Sequence, residues 1–261
     1  MIHKSMVHVD DVTMSFGDFT AVEQVDLSVG DGEFVAIVGP TGCGKSTILN
    51  AIAGLLNATK GEVRIDGKKV AGVQTSIGYL FQQDALLPWK TALENVALGL
   101  QFRGIGEAAR RQKAGDWLTK VGLKGFEHRY PHQLSGGQRK RVQMAQMLIT
   151  EPKVILMDEP FSALDVHTRH LMQNELLRLW QESPRSVVLI THDLEEAIAL
   201  GDRVVVLASG PKSRVIDEFV VDLDRPRNVS EIKLHPHFME LYRSIWSSLR
   251  DEVEKSYERY N

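Results

Sequence analysis

The sequence predicts an α/β fold: a mostly parallel sheet covered on both faces, an antiparallel β subdomain and an inserted α-helical subdomain. Three observations carry this. Phe34–Val38 is a short, continuous apolar run, the pattern of a strand buried on both faces. It runs into the glycine-rich stretch 39–47, after which Ile48, Leu49, Ile52, Leu55 and Leu56 recur at helical spacing. Further on, apolar strands at 154–157, 186–190 and 203–207 alternate with helical patterns at 166–182 and 194–200, as in a sheet built by crossover helices. Between about 84 and 150 that alternation stops and helical patterns follow one another.

The remaining elements fit this frame. Residues 6–29 alternate as short strands, with Val7, Val9 and Val12 in the first and Val22, Val25, Leu27 and Val29 in the second. Asp31-Gly32 turns the chain into the buried strand. Strands follow at 61–67 and 76–81, the second closed by Gln82. From about Gln83 the pattern is helical. Thr91 and Glu94 form a capping box for a helix running to Arg103, and a charged helix covers 107–121. A strand at 214–221 ends the α/β part. Asp224-Arg225-Pro226-Arg227 has the composition of a linker. Beyond it Phe238, Leu241, Tyr242, Ile245, Leu249 and Val253 make the stripe of an amphipathic helix, which either docks on the chain's own core or offers a partner surface. The expected division is a domain over 1–221 and a tail over 222–261.

Bulk properties exclude several classes. The chain has 261 residues, 43% of them hydrophobic, and a formal net charge of −3, so nothing in its charge favours nucleic acid as a partner. No apolar run approaches the roughly 18 residues of a spanning helix, and the expected membrane role is peripheral, through partner subunits. The opening residues lack the apolar core of a signal peptide. The single cysteine, Cys43, excludes an internal disulfide and fits a reducing compartment.

The chemistry concentrates in a few places. Gly39-Pro40-Thr41-Gly42-Cys43-Gly44-Lys45-Ser46-Thr47 fits the phosphate-binding loop G-x-x-x-x-G-K-[ST], in the strand–loop–helix context that it requires. Its glycines admit an anion close to the backbone, and the new helix turns its free N–H groups and dipole toward the phosphates. Lys45 suits the β- and γ-phosphates, and Ser46 suits Mg²⁺. Cys43, beside a helix N-terminus, is expected to have a lowered thiol pKa. Val154–Met157 leads into Asp158 and Glu159: the first suits the Mg²⁺ shell and the second, on the other side of the pleat, a general base. Leu134-Ser135-Gly136-Gly137-Gln138 is a capped helix start and a second anion-binding end, although such a start can exist without a ligand. His192, after Val187–Ile190 and Thr191, sits at a strand tip where imidazole can meet a γ-phosphate; Gln82, at its own strand end, can sense Mg²⁺ or water. Phe16 is either a face for a nucleobase or a core phenylalanine. His235 and His237 flank Pro236, do not share a helical face and are rejected as a metal pair.

In their order and spacing, the loop at 39–47, Gln82, the stretch 134–138, the strand at 154–159, Ser162-Ala163-Leu164-Asp165 and His192 resemble ABC-transporter ATPase subunits over about residues 6–221. The resemblance implies a P-loop ATPase core that uses ATP and Mg²⁺, with Glu159, His192, Lys45 and Gln82 in the reaction. It also implies pairing with a second copy, so that Ser135, Gly136, Gly137 and Gln138 serve the partner's nucleotide and Asp165 lies at the seam. Phe16 would stack on the base, and Gln82 would link the nucleotide to a membrane permease. Leu86-Leu87-Pro88-Trp89, Leu93-Glu94-Asn95-Val96, Arg129-Tyr130-Pro131-His132-Gln133 and Asp222–Arg227 are similar to the nitrate/sulfonate/taurine importer branch, which implies permease subunits, a solute-binding protein and a place on the cytoplasmic face of the inner membrane. The Leu-Leu-Pro-Trp segment would then either pack the helical subdomain or form a groove for a permease helix. The stretch 222–261 is too short for the separate regulatory domain that some relatives append. The alternatives are a soluble ABC ATPase in cofactor assembly or nucleic-acid maintenance, or a nucleotide-gated scaffold without turnover.

Overall fold

The computed structural model describes residues 5–258; the outermost residues of the two expected spans, 1–4 and 259–261, lie outside the described residues. β1 (Ser5–Phe16) and β2 (Phe19–Gly30) form an antiparallel hairpin, and with β4 (Lys60–Ile65) and β5 (Lys68–Lys69) they make a sheet in the order β2-β1-β4-β5. β3 (Phe34–Val38) instead lies inside a six-stranded sheet. With β6 (Ile77–Leu80), β7 (Val154–Asp158), β8 (Ser186–Ile190), β9 (Arg203–Leu207) and β10 (Val215–Val220), its order is β10-β9-β3-β8-β7-β6. Every pairing in this sheet is parallel except the antiparallel edge β10. The expected α/β architecture is borne out.

β3 explains why the chain has two cores. Successive strand side chains point to opposite faces. Val35 and Ile37 join a core with α1 (Lys45–Ala53) and the antiparallel sheet. Phe34, Ala36 and Val38 join the larger core, which takes in the helices α2 (Ala92–Phe102), α3 (Glu107–Lys120), α4 (Gly136–Leu148), α5 (Val166–Glu182) and α6 (Leu194–Leu200). A strand buried on both sides needs an unbroken apolar run, and that is what 34–38 supplies.

The helical portion differs from expectation at its entry. Residues 83–91 are not helical, and α2 begins at Ala92. Two features hold this stretch as a loop. Pro88 disfavours helical backbone at the residue before it. Asn95, fully buried, accepts from the Leu87 N–H at 2.8 Å and donates to the carbonyls of Leu87 at 3.1 Å, Lys90 at 3.0 Å and Thr91 at 3.0 Å. Its side chain thus replaces the backbone partners that a helix would have supplied. The capping box at Thr91 and Glu94 is present.

The tail is strapped down. Asp224–Arg227 has a linker's composition, yet Arg227 is buried and its guanidinium donates to the carbonyls of Ile198 at 3.1 Å, Gly201 at 2.6 Å, Val221 at 3.2 Å and Leu223 at 2.8 Å. It satisfies the carbonyls left over at the C-terminus of α6. Arg225 bonds Asp202 and the Leu200 carbonyl, and stacks 4.5 Å above the centre of the Trp180 ring. The last helix, α7 (Pro236–Glu258), seats Phe238, Leu241, Ile245 and Leu249 in the larger core.

Replacing Arg227 with Ala leaves several buried carbonyls unsatisfied and should cost at least roughly 3 kcal/mol. Arg227→Lys should recover only part of that, because a point ammonium cannot reach a fork of acceptors. Denaturant unfolding of the three proteins checks the ranking; equal midpoints would refute the strap.

Candidate functional site

The site starts where β3 ends. Gly42 and Gly44 adopt φ of 78° and 93°, backbone that disfavours a Cβ. A Cβ on Gly44 would lie 2.4 Å from Val22 Cγ1, so the antiparallel sheet presses on the loop from below. α1 then begins at Lys45 without a side-chain cap, leaving its first N–H groups for an anion. The Lys45 ammonium is buried and donates to the carbonyls of Gly39 at 2.8 Å and Pro40 at 2.9 Å, which closes the loop around its own cation.

A cavity of about 580 Å³ opens over this loop, within the size range of small-ligand sites. Thr41 to Thr47 line its floor, and Gln82, Glu159 and His192 its far side. Phe16 and Phe19 stand at its mouth, half exposed, so Phe16 is not a core residue. Phe19 was not singled out by sequence reasoning; its pairing opposite Phe16 across the hairpin was the signal available.

β7 brings the two carboxylates to the same place. Ser46 Oγ donates to Asp158 Oδ1 at 3.1 Å, linking the first turn of α1 to the strand tip. Burial pushes the Asp158 carboxyl above its ordinary pKa, against the opposing pull of Ser46. Among the described residues no three His, Cys, Asp or Glu side chains converge as a metal centre. The hydroxyl and carboxylate together are hard oxygen donors, and fit a Mg²⁺ ion whose remaining ligands are phosphate oxygens and water. Glu159 takes a φ of 42°, unusual for a residue with a side chain, while its N–H donates to the Ile190 carbonyl at 2.9 Å. Its Oε2 lies 3.0 Å from His192 Nδ1 and 3.5 Å from Gln82 Nε2.

The stretch 134–138 is elsewhere. Ser135 caps α4, with Gln138 completing a capping box, and none of Ser135, Gly136, Gly137, Gln138 or Asp165 lines the cavity over the loop. A Cβ on Gly137 would lie 2.8 Å from Thr168 Cγ2, so this turn packs on the start of α5. There Asp165 is the N-cap and accepts from the Thr168 N–H at 3.0 Å; hydrogen bonding from the Thr168 side chain, and then from this N–H, lowers its pKa. Gly39 and Pro40 face a second cavity of about 840 Å³ between the loop, His192–Glu195 and α7.

A family profile described as ABC transporter matches residues 22–162. The chain belongs to the ABC transporter family. The resemblance to its ATP-binding subunits is thereby borne out. An uncharacterized ABC transporter ATP-binding protein of Methanocaldococcus jannaschii is 45% identical over 236 residues, 90% of this chain and 86% of that one. The taurine import ATP-binding protein TauB of Escherichia coli K12 is 41% identical over 253 residues, covering 95% of this chain and 99% of its own. Among solved structures, a dimeric post-hydrolysis state of the ATP-binding cassette MJ0796 bound to ADP and Pi superposes with a TM-score of 0.73 at 37% identity, over 84% of this chain and 100% of that one.

One expectation is corrected. Cys43 is fully buried, and desolvation pushes its thiol pKa up; the Lys45 ammonium pulls the other way but is outweighed. A helix N-terminus activates a thiol only where the thiolate stays solvated. Alkylation of native protein near neutral pH should therefore run at least about tenfold slower than in the denatured chain, and should stay slow past the pH at which a free thiol ionises. Timed labelling followed by mass spectrometry checks this; rapid native labelling would contradict it.

Proposed function

We propose that the chain is the ATP-hydrolysing subunit of an importer for a small solute of the nitrate, sulfonate or taurine kind, and that it acts as a pair sharing two ATP sites. The observation that carries this is the division of the site. One cavity gathers Phe16, Lys45, Ser46, Gln82, Glu159 and His192, while the signature turn at Ser135–Gln138 lies outside it. A second copy then supplies the lid. The 41% identity to a taurine import subunit over nearly its whole length supports the solute class, and a dimeric cassette among the structural neighbours supports the pairing.

The chain's own residues divide the work. Phe16, and Phe19 beside it, offer faces to the base. The N–H groups of the loop and α1 bind the phosphates, and Lys45 turns from the carbonyls of Gly39 and Pro40 toward the β- and γ-oxygens. Ser46 and Asp158 would hold Mg²⁺, which neutralises phosphate charge. Glu159 takes the proton of the attacking water, held in orientation by His192 and Gln82. The partner's signature, capped by its own serine, closes over the γ-phosphate with an anion-binding helix end. Among the described residues no helix is long and apolar enough to cross a membrane; the subunit works at the cytoplasmic face of the inner membrane, held by permease subunits that receive solute from a binding protein.

Glu159→Gln should lower ATP turnover roughly a hundredfold or more while leaving ATP binding intact, so that a closed dimer accumulates in sedimentation or gel filtration with ATP. Near-normal turnover in that variant would sink the base assignment. In the unmodified subunit, the rate should rise more than linearly with protein concentration across the dissociation range. Strict linearity there would refute the shared site.

A further inference from the structure

The turn after β9 lies against the back of the phosphate loop. Leu207 ends the strand beside Gly39: a Cβ on Gly39 would sit 3.2 Å from both the Cβ and the carbonyl oxygen of Leu207. Gly210 then meets the middle of the loop. A Cβ there would lie 3.0 Å from the Gly42 carbonyl oxygen and 3.4 Å from Cys43 Cα. Backbone rests on backbone, an approach that a residue without a side chain permits.

Two neighbours hold the turn in that place. On one side is β2: the N–H groups of Lys212 and Ser213 donate to the carbonyls of Thr20 at 2.9 Å and Ala21 at 3.1 Å, and the Glu23 N–H donates to the Ser213 carbonyl at 2.9 Å. On the other is Glu252 of α7. Its Oε2 accepts from the Ser209 N–H at 2.7 Å and from Ser209 Oγ at 3.0 Å, while its Oε1 accepts from Lys255 Nζ at 2.5 Å. Ser209 and Glu252 are both buried. Burial works against the Glu252 carboxylate, yet its bonds with Lys255 and Ser209 hold the pKa below the ordinary value, so at neutral pH it is ionised and acts as an acceptor. Gly39, Pro40 and Thr41 face α7 across a cavity of about 840 Å³, so the bonded route from the tail to the loop passes through Ser209.

We propose that Glu252 is a positioning residue of the nucleotide site: by holding Ser209 it keeps the turn 208–213 seated beneath the phosphate loop, in the shape that receives phosphates. The tail then belongs to the ATP site although none of its described residues lines the nucleotide cavity. This rests on the nucleotide-binding role proposed above. Without the carboxylate, the Ser209 N–H and hydroxyl are buried with no acceptor, and the turn must open to reach water. That takes Gly210 away from Gly42.

The test uses the purified full chain well below its melting temperature, with two readouts: ADP affinity by calorimetry, and the alkylation rate of Cys43, whose thiol is buried beneath the loop. Glu252→Ala should weaken ADP binding about tenfold, the worth of one hydrogen bond to a charged group. It should also speed Cys43 labelling at least about fivefold, by local opening. Maximal ATP turnover should stay within about twofold of wild type, because a loss of uniform binding raises KM rather than lowering kcat. Glu252→Gln keeps an acceptor for both Ser209 donors and should stay within about threefold of wild type in either readout. Ser209→Ala, a milder change that removes one donor, should fall between. Arg227→Ala is the control: it destabilises the tail without touching the turn, and should leave both readouts within about twofold of wild type. Unchanged ADP affinity in Glu252→Ala and Ser209→Ala would overturn the proposal. So would glutamine as impaired as alanine, or effects that Arg227→Ala reproduces, because stability alone would then account for them. A wild-type chain that binds no ADP would overturn the nucleotide reading itself; Cys43 labelling unmoved by Glu252→Ala would overturn the positioning role alone.

Discussion

The ammonium of Lys45, held by the carbonyls of Gly39 and Pro40, is the interaction on which the site depends. A loop of this curvature turns several carbonyls inward, where burial without partners is costly. One cation answers two of them. The same ammonium suits a polyphosphate, so in the proposed function the contact that shapes the loop is also the one a nucleotide would replace. The remaining constraints fit around it. β3 must be apolar on both faces to carry the loop into the interior, and Gly44 must lack a Cβ because Val22 of the antiparallel sheet lies beneath it.

That geometry explains why the groups that the proposed function calls on do not all meet within one subunit. The groups at β-strand tips, Asp158 on β7 and His192 after β8, reach the loop because parallel strands end on the same edge. Ser135 and Asp165 do not sit on that edge. They begin helices whose first turns pack on each other, with Gly137 against Thr168. The capped helix start at Ser135 is thus presented away from the cavity over the phosphate loop. Within one subunit the two ends have no common ligand.

Much of this was legible in the sequence, and for a physical reason. The buried strand, the loop, the capping box at Thr91 and the helices at 166–182 and 194–200 are local patterns: apolar runs, periodicities and caps determined by neighbouring residues. What escaped depends on contacts between distant residues. Nothing in the composition of 83–91 opposes a helix apart from Pro88; the loop conformation is held by Asn95, further along the chain. Arg227 looks like a solvated linker charge until the C-terminus of α6 is seen to need donors. Cys43 has the sequence position of an activated thiol, but burial beneath the loop, a property of the fold, reverses its chemistry. The ion pair of Asp84 with Arg139 joins a loop residue to one on α4, 55 positions on, and neither stands out alone.

Glu159 shows how the fold sustains a residue that its backbone preferences oppose. A positive φ at a side-chain-bearing residue costs about 1–3 kcal/mol and persists only where the surroundings over-determine it. Here they do. The Glu159 N–H is held by the Ile190 carbonyl of β8, and its own carbonyl accepts from the Ser162 N–H at 3.3 Å and from Ser162 Oγ at 3.0 Å. β7 itself is buried between β6 and β8, with Val154 to Met157 inaccessible to solvent. The consequence is geometric. The pleat alone would send residues 158 and 159 to opposite faces, and the left-handed turn redirects Glu159 toward His192 and Gln82 while Asp158 keeps the strand's direction toward Ser46. Two adjacent carboxylates are thereby given different surroundings, one toward Ser46 and the loop and one toward His192, and the stability of the central sheet holds that difference in place.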